Sequence, residues 1–470
     1  MPETGSDRAV TALAVATVGV YVLVVAGATA AIVDAVAACA AWPTCGGAGL
    51  SFDDPQLLVA WGHRILALAV GLLVVWAAAT AWSAGGRRVR AGLVATLVLY
   101  PIQVAIGASF ALYGATPLLA GVHLAVGMAI FTGLVVALAL LLRESYHGTI
   151  ASDAGVERAM ADDGVGVEGS PPTPREVPSA TGGGIRSTLL AYVRLTKPRL
   201  MWLLCLVAAA GMALAAGPSL TLRTAVTTLA GGVFAIGASG TFNHVLERDL
   251  DRRMQRTADR PLATEQVGVR RAFGFGVVLA VAAVAAFASI NLLAAALGFV
   301  AIAYYSVVYT LLLKPNTVQN TVVGGLAGSF PALIGAAAAT NTIGPAALVL
   351  GALIFLWTPA HFYNLALVYR DDYARGGVPM FPVVRGEAAT RTLILGYLAA
   401  TLLAAAALAA VAGLGLVYAA TAVAFGTVFL WTVVALHRRP SRAAAWRSFH
   451  ASNAFLGAIL VAVVVDALVL

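Results

Sequence analysis

The stretch "LILGYLAATLLAAAALAAVAGLGLVYAATAVAFGTVFLWTVVAL", residues 393–436, runs for 44 positions without one charged side chain. A hydrocarbon core of roughly 30 Å is crossed by about 20 helical residues. Inside it only helices or closed barrels satisfy their own backbone polar groups. The stretch lacks the strict alternation of a barrel strand, so it reads as a pair of helices. Similar runs recur along the chain, which is 60% hydrophobic and only 11% charged. The fold class expected is all-α and polytopic in a membrane.

Apolar spans fall near 10–33, 56–83, 90–112 and 117–142, and nine more near 200–216, 222–246, 271–289, 290–312, 318–339, 344–368, 390–412, 414–436 and 449–470. Between the two sets lies a polar, acidic segment rich in Gly, Pro, Ser and Thr, a composition that cannot bury enough apolar surface to fold alone. The expected organisation is a four-helix membrane domain over 1–143, a flexible acidic linker over 144–190 and a nine-helix membrane domain over 191–470. The opening "MPETGSDRAV" lacks a basic n-region and no cleavage site follows, so the first span is expected as a retained helix.

The net charge of +8 does not point to nucleic acid, because the basic residues lie in short inter-helix loops. "GGRRVR" (85–90), "LKPN" (313–316), "YRDDYAR" (369–375) and "HRRPSRAAAWR" (437–447) share one membrane side if thirteen helices start with the N-terminus inside. By the positive-inside rule that side is the cytoplasm. Cys205 sits in an apolar run as ordinary packing.

One charged segment is dense enough to carry chemistry. "NHVLERDLDRRMQRTADRP" (243–261) places Asn243, Glu247 and Asp251 at i, i+4 and i+8, one helix face. An amide and two carboxylates there suit a hard divalent cation, and Mg²⁺ usually shares its shell with substrate phosphates. Arginines surround that face, and guanidinium forks suit phosphate. A solvated loop that only sets topology would look similar in isolation. "YRDDYARGGVPMFP" (369–382), with Asp371 and Asp372, supplies a second acid-and-arginine mouth on the same side. Two such mouths suit a pair of metal sites clamping one diphosphate.

The pattern N-x-x-x-E-x-x-x-D followed by M-x-R-T-x-x-R-P resembles the intramembrane prenyltransferase superfamily that includes 4-hydroxybenzoate polyprenyltransferase. With "RLTKPRLMWLL" (194–204), "YTLLLKPNTVQNTVVGGLAGSFPALIGAAA" (309–338), "TPAHFYNLAL" (358–367) and "YRDDYARGGVPM" (369–380), it resembles the haem O synthase branch over about residues 190–470. Two departures from the wider superfamily stand out: Glu247 replaces its usual aspartate, and Asp-Asp-Tyr replaces D-x-x-x-D. The resemblance implies transfer of the farnesyl group of farnesyl diphosphate to a vinyl group of haem B, with water addition. It implies Asn243, Glu247 and Asp251 as ligands of a first Mg²⁺ and Asp371 and Asp372 of a second. Arg256, Arg260, Lys314, Lys197 and Arg199 are the implied diphosphate contacts, though simple interfacial anchoring is as good a reading of Lys197 and Arg199. His361 is either an ordinary bundle histidine or a contact for haem propionate or iron. Tyr304, Tyr305 and Tyr309, at mixed spacing, read as packing and interface residues.

In the first domain, His63 and His123 sit at similar depth in the second and fourth spans, where two imidazoles can ligate one haem axially. "CAAWPTC" (39–45) and "WGHRILALAVG" (61–71) resemble half of a haem A synthase, over about residues 10–142. That family usually carries a glutamate three residues before the histidine matching His63, and here the position is Ala60. The unit is therefore expected to hold haem, pass substrate or dock a partner, a haem A synthase or a terminal oxidase, rather than oxidise haem. Cys39 and Cys45 share an outward loop and stand as either a disulfide or two unpaired thiols.

Two rival readings come from other classes: the same fold prenylating a quinone precursor or a lipid acceptor, and a non-enzymatic haem-binding or transport protein. The second has no use for two inward acid clusters.

Overall fold

The structure is a computed structural model describing residues 5–39, 41–46, 53–160 and 184–469, with the backbone alone described over 145–160. Among the described residues there is no strand, and thirteen helices are long and apolar enough to cross a membrane. The chain is a multi-pass membrane protein.

Four long helices come first: α1 (Gly5–Ile32), α2 (Pro55–Ala84), α3 (Arg87–Tyr113) and α4 (Pro117–Met160). The second set opens with α5 (Ile185–Leu195), α6 (Pro198–Ala216), α7 (Leu222–Leu246), α8 (Arg248–Arg253), α9 (Val269–Ala288) and α10 (Leu292–Ala303). A π-helical stretch, Tyr304–Leu313, continues α10 into α11 (Lys314–Asn316), followed by α12 (Asn320–Gly324), α13 (Leu326–Thr340) and α14 (Pro345–Val368). The chain then runs through α15 (Arg370–Arg375), α16 (Phe381–Arg385), α17 (Glu387–Ala412), α18 (Leu416–Arg438) and α19 (Arg442–Val469).

The apolar spans read from sequence match these helices to within about five residues, except that α19 starts at Arg442 rather than near 449 and α4 runs past its span. The region read as a linker differs. Helix α4 runs on to Met160, because no proline follows Pro117 until Pro171 and nothing earlier compels a stop. At the other end, α5 is an amphipathic helix that buries Ala191 and Leu195 against Leu262, Val267 and Ala272. The rest of the segment, 161–183, lies outside the described residues.

The two sets of helices pack on each other. Helix α1 lies against α2 and α4 on one side and α17 and α18 on the other. The fully buried Tyr21 donates to the Ala422 carbonyl at 3.4 Å, and Arg438 pairs with Asp7 at 2.9 Å. Membrane helices gain little from apolar burial alone and associate through close backbone approach. The α6–α13 crossing shows this. A Cβ at Gly211 would come 2.3 Å from the Ala332 carbonyl oxygen, and one at Gly335 2.2 Å from that of Ala208.

Candidate active site

Helix α7 reaches the end of the bundle at Leu246 and breaks at Glu247, whose ψ of 7° is not helical. The i+4 register survives the break: the Glu247 N–H donates to the Asn243 carbonyl at 2.9 Å and the Asp251 N–H to that of Glu247 at 2.7 Å. Asn243, Glu247 and Asp251 therefore stay on one face, none more than 4% exposed. Buried acids need partners, and three other elements supply them.

From the turn before α6 comes Lys197, in the left-handed region (φ 54°, ψ 57°). The turn fits a notch on α7, since a Cβ at Gly240 would lie 3.0 Å from the Leu195 carbonyl oxygen. Lys197 Nζ donates to Asn243 Oδ1 and lies 5.6 Å from the centre of the Tyr305 ring. From the end of the π-helical stretch, Lys314 Nζ donates to Glu247 Oε1 at 2.6 Å. From the loop after α8, Arg260 Nη1 donates to both Asp251 oxygens, at 2.8 and 2.9 Å. The same nitrogen lies 3.9 Å from Glu247 Oε2, so the two carboxylates converge on one cationic point.

Electrostatics follows from this packing. Burial, helped by the charge of Arg260, pulls the Lys197 ammonium down to about 7 against the opposing carboxylates. Burial pushes the Glu247 carboxyl up, but Lys314, Lys197 and Arg260 outweigh it and hold it below the usual carboxylate range. At Asp251 burial wins, and the carboxyl sits above that range despite Arg260.

The second acidic motif meets the first. Asp372 accepts from the backbone N–H groups of Gln255 and Arg256, at 2.7 and 3.1 Å, and from Arg375 at 2.8 Å. It thereby pins the loop that carries Arg256 and Arg260. The Arg256 guanidinium lies 4.8 and 5.5 Å from the ring centres of Tyr369 and Tyr373. On the loop's far side, Arg194 of α5 pairs with Asp259 at 2.8 Å. Asp371 is exposed and makes no hydrogen bond or ion pair among the described residues. Arg199 is likewise exposed, on the first turn of α6, and is not drawn into the cluster.

Two residues of the site escape a reading of helical spacing. Thr310 accepts from Asn243 Nδ2 at 3.1 Å, and Tyr305 lies against Lys197 rather than serving as simple packing. Both belong to the π-helical stretch, where i→i+5 geometry aligns Tyr305 with Thr310; Lys314 follows just past its end. Thr310 Oγ1 donates to the Tyr305 carbonyl five residues back, at 2.8 Å. Below the cluster a narrow apolar cleft opens between α6, α7, α10 and α13, with Lys197, Gly240 and Tyr305 at its polar end.

Three groups lie elsewhere. His361 stacks between Trp357 and Phe449, ring centres 4.3 and 4.4 Å away, with Nδ1 2.7 Å from Ser452 Oγ. In the first helices, His63 and His123 keep buried Nδ1 atoms without a hydrogen-bond partner among the described residues. Built Cβ atoms on Gly27 and Gly107 would lie 3.3 and 3.2 Å from their respective Cε1 atoms. Cys39 and Cys45 are disulfide-bonded, Cα atoms 4.8 Å apart. Arg64 straps that loop to α2 through the carbonyls of Cys39 and Pro43, both at 3.2 Å.

Membrane helices closing over buried acids matched by cations, above an apolar cleft, define an intramembrane prenyltransferase. Residues 203–459 match the UbiA prenyltransferase family. Protoheme IX farnesyltransferase 1 of Natronomonas pharaonis is 59% identical over 457 residues, spanning 97% of this chain and 98% of its own. Protoheme IX farnesyltransferase of Haloarcula marismortui is 55% identical over 460 residues, 97% of this chain and 98% of its own. Among solved structures, a digeranylgeranylglyceryl phosphate synthase shares the fold, with a TM-score of 0.52 at 14% identity over 60% of this chain and 99% of that one. The chain belongs to the UbiA prenyltransferase family.

Proposed function

We propose that this chain is a protoheme IX farnesyltransferase, converting haem B to haem O with farnesyl diphosphate and water. The observation that carries the reading is the convergence of Glu247 and Asp251 on one cationic nitrogen, flanked by Lys197 and Lys314, at the mouth of an apolar cleft. Its close relatives bear the same name.

The donor set fits magnesium: Asn243 Oδ1 and the carboxylates of Glu247 and Asp251 are hard oxygens on one buried face, and the two acids already share a cation. Held by these three side chains, Mg²⁺ would supply a Lewis acid that offsets the charge developing on a diphosphate leaving group. The chain's own residues do the rest. Lys314 and Arg260 offset the two carboxylates, and Lys197, pulled down to about 7 while the site is empty of anion, takes up a full positive charge as the diphosphate arrives. These side chains turn to the diphosphate as charge builds on its leaving oxygen, which favours the transition state over the ground state. The allylic C1–O bond breaks with its electron pair on diphosphate. The terminal carbon of a haem vinyl group then bonds to C1, its neighbour takes a water oxygen, and that water loses a proton. The apolar cleft keeps other water from the farnesyl cation.

The reading includes a cytoplasmic site and N-terminus, consistent with the arginine-rich loops. Asp371 is the carboxylate available at the second mouth for a further cation. His361, whose Nδ1 is held by Ser452, is read as a contact for the haem acceptor through its other ring nitrogen. The helices of 1–143 form a haem-holding unit with His63 and His123 as axial ligands, facing a haem A synthase or a terminal oxidase. If so, full-length protein purified with haem shows a low-spin bis-histidine spectrum that His63→Ala abolishes; an unchanged spectrum contradicts the ligation.

Transfer itself tests the proposal. Full-length chain in lipid vesicles with farnesyl diphosphate and Mg²⁺ is expected to farnesylate haem B. It should leave 4-hydroxybenzoate and a glycerol-phosphate lipid unmodified. Product on either of those and none on haem refutes it.

A further inference from the structure

We propose that α5 is a membrane-surface helix that seats its outer face among anionic lipids and thereby holds the cations of the site in place. The second half of this rests on the diphosphate-binding reading above. Helix α5 carries two apolar faces. Ala191 and Leu195 pack inward on Leu262, Val267 and Ala272. Ile185, Leu189 and Val193, spaced i, i+4 and i+8, form a separate stripe that stays 84, 61 and 52% exposed. The neighbours of α5 set its level. The inward cluster takes in Val245, in the last turn of α7, and Val269, the first residue of α9. The Tyr192 ring meets that of Phe275 in α9, centres 5.0 Å apart. Three residues past the end of α5, the spanning helix α6 begins at Pro198. At roughly 16 Å long, α5 is too short to cross a bilayer. A helix at that level with an open apolar stripe lies in the interface.

Charge selects the lipid. Arg186 beside the stripe, Arg199 in the first turn of α6, and Arg270 and Arg271 in the first turn of α9 are all exposed. None of the four has an acidic partner among the described residues. Unpaired guanidinium groups around an apolar stripe suit phosphate-bearing anionic headgroups. The inner end of α5 reaches the site twice. Arg194 Nη2 donates to the Asp259 carbonyl at 3.1 Å and to its Oδ2 at 2.8 Å, one residue before Arg260. The Leu195 carbonyl abuts Gly240, two residues before Lys197. A seated α5 therefore braces Arg260 and Lys197 from behind, and a released α5 lets go of both.

The test places full-length chain in phosphatidylcholine vesicles with or without phosphatidylglycerol and titrates farnesyl diphosphate with Mg²⁺. Coupling between two sites typically amounts to 5–150-fold, so affinity is expected to rise about ten-fold with the anionic lipid. Surface charge alone acts the other way, because an anionic surface repels an anionic substrate. Arg194→Gln, and separately the triple variant Arg186→Gln, Arg270→Gln, Arg271→Gln, should each cancel the gain. Docking is read independently of any substrate. The emission that Leu189→Trp adds to the wild-type signal should shift to the blue and be quenched by lipids brominated along their acyl chains. Added emission that bromine leaves untouched overturns the docking. Equal or weaker affinity with phosphatidylglycerol, or a gain that survives in both sets of variants, overturns the bracing. A chain that binds no farnesyl diphosphate in either vesicle overturns the diphosphate reading and the bracing with it, while the bromine result still decides the docking.

Discussion

Asp251→Asn is expected to lower the turnover of farnesyl transfer by about a thousand-fold while the protein stays folded. The substitution keeps shape and removes one charge. It takes away an oxygen donor suited to Mg²⁺, and it leaves Arg260 without the carboxylate that holds it at 2.8 and 2.9 Å. Loss of one well-placed electrostatic group typically costs 10²–10³ in rate, and here two functions fail together. Folding should suffer far less. Burial already holds the Asp251 carboxyl above its usual range, so its charge is kept against the preference of the fold. Glu247 Oε2 also remains 3.9 Å from Arg260 as a counter-ion. Rates with saturating haem B and farnesyl diphosphate, beside a melting curve, check both halves. A variant retaining a tenth of wild-type turnover contradicts the role.

The second large effect separates two neighbours. Asp372→Ala is expected to cost about a hundred-fold in kcat/KM, and Asp371→Ala only a few-fold. The Asp372 carboxylate accepts from two backbone N–H groups of the loop that carries Arg256 and Arg260. Leaving these part-buried donors unsatisfied costs up to about 1–3 kcal/mol each, and the loop relaxes away from the acids to rehydrate them. The effect should therefore appear in both rate and local protection. Amide hydrogen exchange over 254–260 rises in Asp372→Ala and not in Asp371→Ala. The reverse order of rates would mean that cation binding at Asp371 outweighs the anchoring of the loop by Asp372, and contradicts the anchoring role.

Much of this architecture is legible in the amino-acid sequence. Long apolar runs without strict alternation read as membrane helices, so the thirteen spans followed directly, while the run of α4 on to Met160 did not. The i, i+4, i+8 spacing of Asn243, Glu247 and Asp251 survived even the break at Glu247. Three things were hidden for physical reasons. Tyr305 and Thr310 join the site through π-helical geometry that a 3.6-residue period scatters over different faces. Asp371 and Asp372 are adjacent in sequence, and only the packing of the 254–260 loop decides that Asp372 turns inward. Lys197 and Arg199 looked equivalent on either side of Pro198. The left-handed turn at Lys197, seated against Gly240, sends one to Asn243 and leaves the other exposed.

Binding of farnesyl diphosphate to the intact chain, titrated with Mg²⁺ and then with a chelator, probes most directly whether these helix ends grip a metal-bound diphosphate. Affinity should fall at least ten-fold on chelation, fall again in Lys314→Met, and recover only for wild type when Mg²⁺ is restored. Binding that ignores both the chelator and the lysine would mean that the acids and cations at the mouth of α7 serve something other than a diphosphate.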